Sequence, residues 1–244
     1  MSNHIINIKI HLQSIFIFLR NTLYAVPYIF SKNNLKFFPR YPSFWLPVCI
    51  KLNRDQIYGY SSITNKAGRD MNIVCEIDKN KFITIKQLFQ ENPKYITAHQ
   101  VLNKSEKNIF NLSEFSFYKK ILNSGKITRG MKSSSDIESY LKERIKFFNQ
   151  FKTYGYKQQY KNYSDYNSEM QFLYLGSGKF IKVNSGNHRF AAIEVLKIKK
   201  FNGHVIAIDK DYLLQFGKER GFKVLNRLRQ EFKQHKNIMI EKFN

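Results

Sequence analysis

The most regular pattern in the chain follows a serine run. Ser133-Ser134-Ser135 precedes Asp136 and Glu138, and from Ile137 apolar residues recur at helical spacing through Leu141, Ile145, Phe148 and Phe151 or Lys152. Lys142, Glu143 and Lys146 take the other face, and Ser135 with Glu138 fits an S-x-x-E capping box. The spacing predicts a helix of about four turns, closed by Gly155. Downstream, Met170 to Leu175 and Lys179 to Val183 flank Gly176-Ser177-Gly178 and predict a β-hairpin with a three-residue glycine turn. A short helix starting near His188 and carrying Ala191 to Leu196 comes next, then a buried strand from Gly203 to Ile208. Tyr212 to His235 sets Leu213, Phe216, Leu225, Leu228 and Phe232 on one helical face, and Gly217 and Gly221 break that segment into two helices.

The first half is patterned less regularly. Val48 to Leu52 and Ile73 to Ile77 predict short strands, with Asn65 to Asp70 a polar loop between them. Ile83 to Gln90 predicts a helix ended before Pro93, because a residue preceding proline avoids the α region. Phe115 to Leu122 predicts a short helix stopped by Gly125. Prolines 39, 42 and 47 punctuate an aromatic stretch and bar a continuous helix there. Ile15 to Leu19 and Leu23 to Ile29 are apolar, but Arg20, Asn21 and Pro27 interrupt them, short of the roughly 20 residues a membrane span needs. Two readings stay open: a helix packed into the fold, or an interfacial helix helped by Arg20, Lys32, Lys36 and Arg40. The elements together predict an α+β fold, divided into residues 1–110 of unassigned fold and 111–244 with the hairpin unit and basic C-terminal helices.

Composition sharpens the class. Hydrophobic residues make up 43% and aromatics 16% of 244 residues, too rich for a disordered chain. Forty-one Lys and Arg against eighteen Asp and Glu leave a formal charge of +23, which attracts nucleic acid, nucleotides or an anionic membrane face. Codon bias accounts for some lysine but not for the scarcity of acids. Cys49 and Cys75 lack CxxC or zinc spacing, and the six histidines lack the i, i+4 pairing of a helical metal site, so no structural metal is expected. A reducing cytoplasm is the expected compartment, with contact at the inner membrane face as an option.

Candidate chemistry concentrates in Asn184-Ser185-Gly186-Asn187-His188-Arg189, between a strand and a helix. A glycine there lets the backbone turn tightly, and the first amides of the helix point at whatever occupies its mouth. Arg189 adds a planar cation able to grip two phosphate oxygens, and His188 adds an imidazole donor. The plain alternative is a turn glycine, a histidine in a core contact and an arginine paired elsewhere.

The run from Gly178 to Ile193, followed by Ile198 and the strand Val205 to Ile208, resembles the ParB/sulfiredoxin-like superfamily, whose members open a helix with a "DG-x-H-R" or "G-E-R-R" box. The resemblance covers about residues 135–210. It implies a mixed sheet with flanking helices, and phosphates of ATP or CTP, with Mg²⁺, held by Ser185, Gly186, Asn187, His188 and Arg189. Asn187 stands where sulfiredoxins carry a cysteine, and Ser185 where the kinase-like and glycan-locus members carry an aspartate. The resemblance implies a phosphotransferase, kinase or NTP hydrolase acting on a small or glycan-linked hydroxyl acceptor. His188 is its candidate catalytic residue, with Glu169, ahead of Asp165 and Glu194, as the replacement carboxylate. The other reading is a ParB-like nucleic-acid-binding protein, with the tyrosine-rich loop 154–166 and the basic C-terminal helices extending the contact.

Overall fold

The computed structural model describes residues 19, 23, 26–32, 49–61, 74–75, 82–103, 133–155, 170–183 and 185–236. The expected loop at 65–70, helix at 115–122 and tyrosine loop beyond residue 155, together with Asp165 and Glu169, lie outside them.

Short β-branched and aromatic runs supply the strands β1 (Cys49–Asn53), β2 (Ile57–Ser61), β3 (Val74–Cys75), β4 (Phe82–Ile83), β5 (Gln171–Gly176), β6 (Lys179–Val183) and β7 (Lys200–Asp209). They form one mixed sheet in the order β1-β7-β5-β6-β2-β4, with β3 also on β7. β7 is the spine: β5 runs parallel along one edge, while β1 pairs antiparallel with its first half and β3 parallel with its end on the other. β2 extends the hairpin by pairing parallel with β6. Residues on both sides of position 110 therefore build the same sheet.

Helices α1 (Ile85–Glu91), α2 (Pro93–Asn103), α3 (Ser134–Tyr154), α4 (Asn187–Val195), α5 (Lys210–Leu214) and α6 (Gly221–Lys236) complete the α+β architecture. The cap of α3 corrects the expectation: Ser133, not Ser135, is the N-cap, taking Asp136 N on its hydroxyl at 3.2 Å while Asp136 Oδ2 accepts from Ser133 N at 3.0 Å. This box keeps two more residues helical than the Ser135–Glu138 alternative, and α3 runs 21 residues to Gly155. The hairpin turn is also shorter than expected. Only Ser177 and Gly178 lie outside the strands, at φ +50° and +73°, a pair of left-handed residues that matches strand twist. Pro93 ends α1 as expected but also opens α2, with Asn92 Oδ1 accepting from Lys94 N at 3.1 Å.

The core lies on one face of the sheet, where Phe172, Tyr174 and Phe180 meet α2, α4 and α6. Phe190 of α4 is at its centre, edge-on to Phe172, Phe201 and Tyr95 at 6.0, 6.2 and 6.3 Å. Burying one such ring stabilises the fold by roughly 1.5–3 kcal/mol, so Phe190 alone fixes the start of α4 firmly to the sheet. The opposite face carries a smaller cluster of Leu173, Ile181, Val183 and Ala207, the alternate residues of the same strands. Among the described residues no helix is long and apolar enough to cross a membrane.

Candidate anion-binding site

β6 leads into the box and α4 leads out of it, so the loop is held from both ends. Gly186, the N-cap of α4, has φ +78°, and a Cβ there would lie 2.6 Å from Met170 Cα. Only glycine meets both conditions. Met170 is itself fixed, because its carbonyl accepts from His204 N of β7 at 2.8 Å. The first intrahelical bond of α4 runs from Phe190 N to Gly186 O at 3.0 Å. The amides of residues 187–189 precede that bond and point out of the helix end, where the dipole is positive.

Beneath the loop lies a residue with no functional signal in the sequence. Lys182, in β6, is completely buried, and its Nζ donates to Val183 O at 2.7 Å, to Asn187 Oδ1 at 3.1 Å and to Ser185 O. Its ammonium also stands 5.9 Å from the Phe172 ring. Burial, and secondarily the charge of Lys94, push its pKa well below the ordinary lysine value. Three carbonyl oxygens act the other way, since they match the three donors of an ammonium and an amine would leave one of them unserved. We assign the ammonium form on that geometry.

Ser185, Asn187, His188 and Arg189 are each half-buried around this brace. Asn187 turns its amide oxygen down to Lys182. His188 faces α3, with Nε2 3.1 Å from the Tyr140 hydroxyl and its ring 6.1 to 6.2 Å from those of Phe148 and Tyr140. Arg189 is the third residue of α4. Glu194 is not part of the group: it follows Asn187 by seven residues, about 10 Å along the helix at 1.5 Å per residue. Burial raises its pKa to about 7, with Arg54 lowering and Asp55 raising it. Its neighbours are therefore the turn after β1 and Tyr95, whose buried hydroxyl has no hydrogen-bond partner among the described residues.

Lys182 and Tyr140 escaped the sequence reading. A lysine inside an apolar strand looks like a solvent-facing residue, and nothing in the linear order links Tyr140 to a histidine 48 residues later. Among the described residues no group of three His, Cys, Asp or Glu is arranged to hold a metal. An open groove of about 600 Å³ runs along α3 between Lys142, Lys146 and Tyr154, and no box residue lines it. No protein family, curated protein or solved structure matches the chain.

Proposed function

We propose that Ser185, Gly186, Asn187, His188 and Arg189 bind the phosphate groups of a nucleotide, ATP or CTP, at the N-terminus of α4. The observation that carries this reading is the Lys182 brace. The carbonyl at the end of β6, a loop carbonyl and the Asn187 side chain are drawn inward to one buried ammonium, which fixes the loop and puts a cation beneath the helix end. The ammonium and the helix dipole favour an anion at the helix mouth, and Arg189, in the first turn of α4, adds a guanidinium to the same box. The resemblance of the box to the ParB/sulfiredoxin-like superfamily supports the same ligand class.

Phosphoryl transfer to a hydroxyl acceptor, or hydrolysis, is the reaction such a site serves when the nucleotide brings Mg²⁺. An aspartate at position 185 would help hold Mg²⁺ or orient the attacking hydroxyl, and a serine does either poorly. Glu169 is the carboxylate we assign to that role, because its chain neighbour Met170 packs backbone against Gly186. A nucleic-acid-binding reading rests on a different observation, the exposed Lys223, Arg227, Arg229 and Lys233 of α6.

Calorimetric titration with ATP, CTP and a short DNA duplex, with and without Mg²⁺, separates the two. Nucleotide binding with a Kd of roughly micromolar order, weakened at least about tenfold by Arg189→Ala, is the expected result. DNA binding that is salt-sensitive and indifferent to Arg189→Ala, without any nucleotide response, sinks the nucleotide site and leaves the second reading. Hydrolysis unchanged in Glu169→Gln would show that another group acts as base.

A further inference from the structure

The outer face of α6 is laid out around a polar ridge. Beneath the helix Val224, Leu225, Leu228 and Phe232 are buried, Phe232 meets the Tyr174 ring at 4.8 Å, and Glu231 accepts from the Tyr174 and Tyr212 hydroxyls. The helix is therefore seated along its base and open outward. At about 100° per residue Asn226 and Gln230 fall within about 40° of each other, in the middle of the exposed arc and opposite the buried residues. Arg229 and Lys233 make a row about 60° to one side of this ridge, and Lys223 and Arg227 a row about 60° to the other. All six side chains are exposed, and no exposed position described on α6 carries an Asp or Glu. Arg227 pairs with Glu219, just ahead of the helix, at 3.0 Å, whereas Lys223, Arg229 and Lys233 have no ion pair among the described residues.

Two flanking rows of cations with amides between them fit one polyanion better than others. A helix with its side chains is about 10–12 Å across, and the major groove of B-form DNA is about 12 Å wide, with a phosphate backbone along each wall and base edges at its floor. The two basic rows match the two walls. The Asn226 and Gln230 amides, each a donor beside an acceptor, match the acceptor and donor that adenine presents at the floor. A lipid surface suits the same face poorly, because an interfacial helix buries an apolar side and Phe222, 40% exposed, is the large apolar residue exposed among the described residues of α6. An A-form RNA duplex closes the corresponding groove to side chains. We propose that α6 enters the major groove of duplex DNA, with Asn226 and Gln230 toward the base edges and the flanking rows on the phosphates. This deepens the nucleic-acid reading given above and rests on it. It shares no residue with the nucleotide box, so either assignment can fail without the other.

The test is fluorescence anisotropy of the full chain with a duplex of about 20 base pairs, about two turns, enriched for binding from a random-sequence pool. Binding that weakens steeply with salt is expected. Lys223→Ser/Lys233→Ser, one cation from each row, is expected to lower affinity about tenfold and to reduce the salt slope by about two. Asn226→Ala/Gln230→Ala is expected to keep that slope and to lose about tenfold in preference for the enriched duplex over an unrelated one. All four side chains are exposed, so the melting temperature and the calorimetric response to nucleotide are expected to hold. Discrimination unchanged in Asn226→Ala/Gln230→Ala, or equal binding of double-stranded RNA of the same sequence, overturns the groove assignment while sparing the nucleic-acid reading. Failure to bind any duplex sinks both and leaves the nucleotide site standing. Capture of phosphatidylglycerol vesicles in place of the duplex, lost in Lys223→Ser/Lys233→Ser, would assign the face to a lipid surface and equally overturns the proposal.

Discussion

At the scale of single residues, Lys182 concentrates the consequences. Lys182→Met keeps the aliphatic stem in its buried slot but leaves Val183 O, Ser185 O and Asn187 Oδ1 without their donor. The variant is expected to lose about 1–3 kcal/mol in urea denaturation and to bind nucleotide more weakly. A variant as stable as the parent would mean that the brace contributes nothing net. Glu194 and His204 offer a second test, since burial shifts them with opposite consequences. Glu194, raised from 4.5 to about 7, favours its neutral form in the fold. Its contribution is complete below pH 4.5 and disappears as pH rises through about 7. His204, lowered from 6.5 to about 4, contributes fully above pH 6.5 and loses that contribution as pH falls through about 4. The two trends offset each other over the same window. Glu194→Gln is therefore expected to stabilise the protein near neutral pH and above, to match the parent near pH 4.5, and to expose a steeper loss on acidification. Denaturation midpoints across that range check it.

At the scale of elements, α6 is tied to the hairpin and to α5 through one carboxylate. Glu231 accepts from the Tyr212 hydroxyl at 2.7 and 2.9 Å and from the Tyr174 hydroxyl, which also receives Gly178 N of the turn at 3.3 Å. Glu231→Leu strands two largely buried phenols and is expected to cost about 2–4 kcal/mol, whereas Tyr174→Phe/Tyr212→Phe/Glu231→Leu is expected to recover part of that loss. Thermal melts of the single and triple variants check the coupling. The sequence made these elements legible wherever one face was apolar and a glycine or cap ended the run: the hairpin, α4, β7, α5 and α6 all stand close to their expected places. It was less legible where two answers were locally equal. Ser133 and Ser135 each head a capping pattern, and only the longer helix separates them. β2 escaped because Gly59 breaks its run, yet that glycine is what lets the ring of Phe82 lie over the strand. α2 escaped because its opening proline reads first as a stop. The box was legible as a turn and a helix start, but its buried lysine was not, because burial depends on which carbonyls the fold brings to a side chain.

At the scale of the molecule, the sheet is closed by strands distant in sequence. β1 pairs with β7, Cys49 opposite His204, and β2 pairs with β6. Residues 111–244 alone would retain β5, β6 and β7 but leave the outer edges of both β6 and β7 unpaired. They would also uncover Phe190 where Tyr95 of α2 packs on it. Long, bare, apolar edges pair with other chains, and a three-stranded remnant that has lost α1 and α2 from its core face buries less apolar surface to offset chain entropy. The fragment 111–244 is therefore expected to aggregate or to unfold without a cooperative transition, while the full chain melts cooperatively. Circular dichroism melts and size-exclusion profiles of the two distinguish the outcomes. A monomeric fragment with a sharp transition would show that the first half merely decorates a domain able to stand alone, and would place the nucleotide box in a unit that folds by itself. If it fails to fold, β1 and β2 are integral to the site, because the strand that delivers Lys182 to the loop then depends on Tyr60, its partner in register on β2.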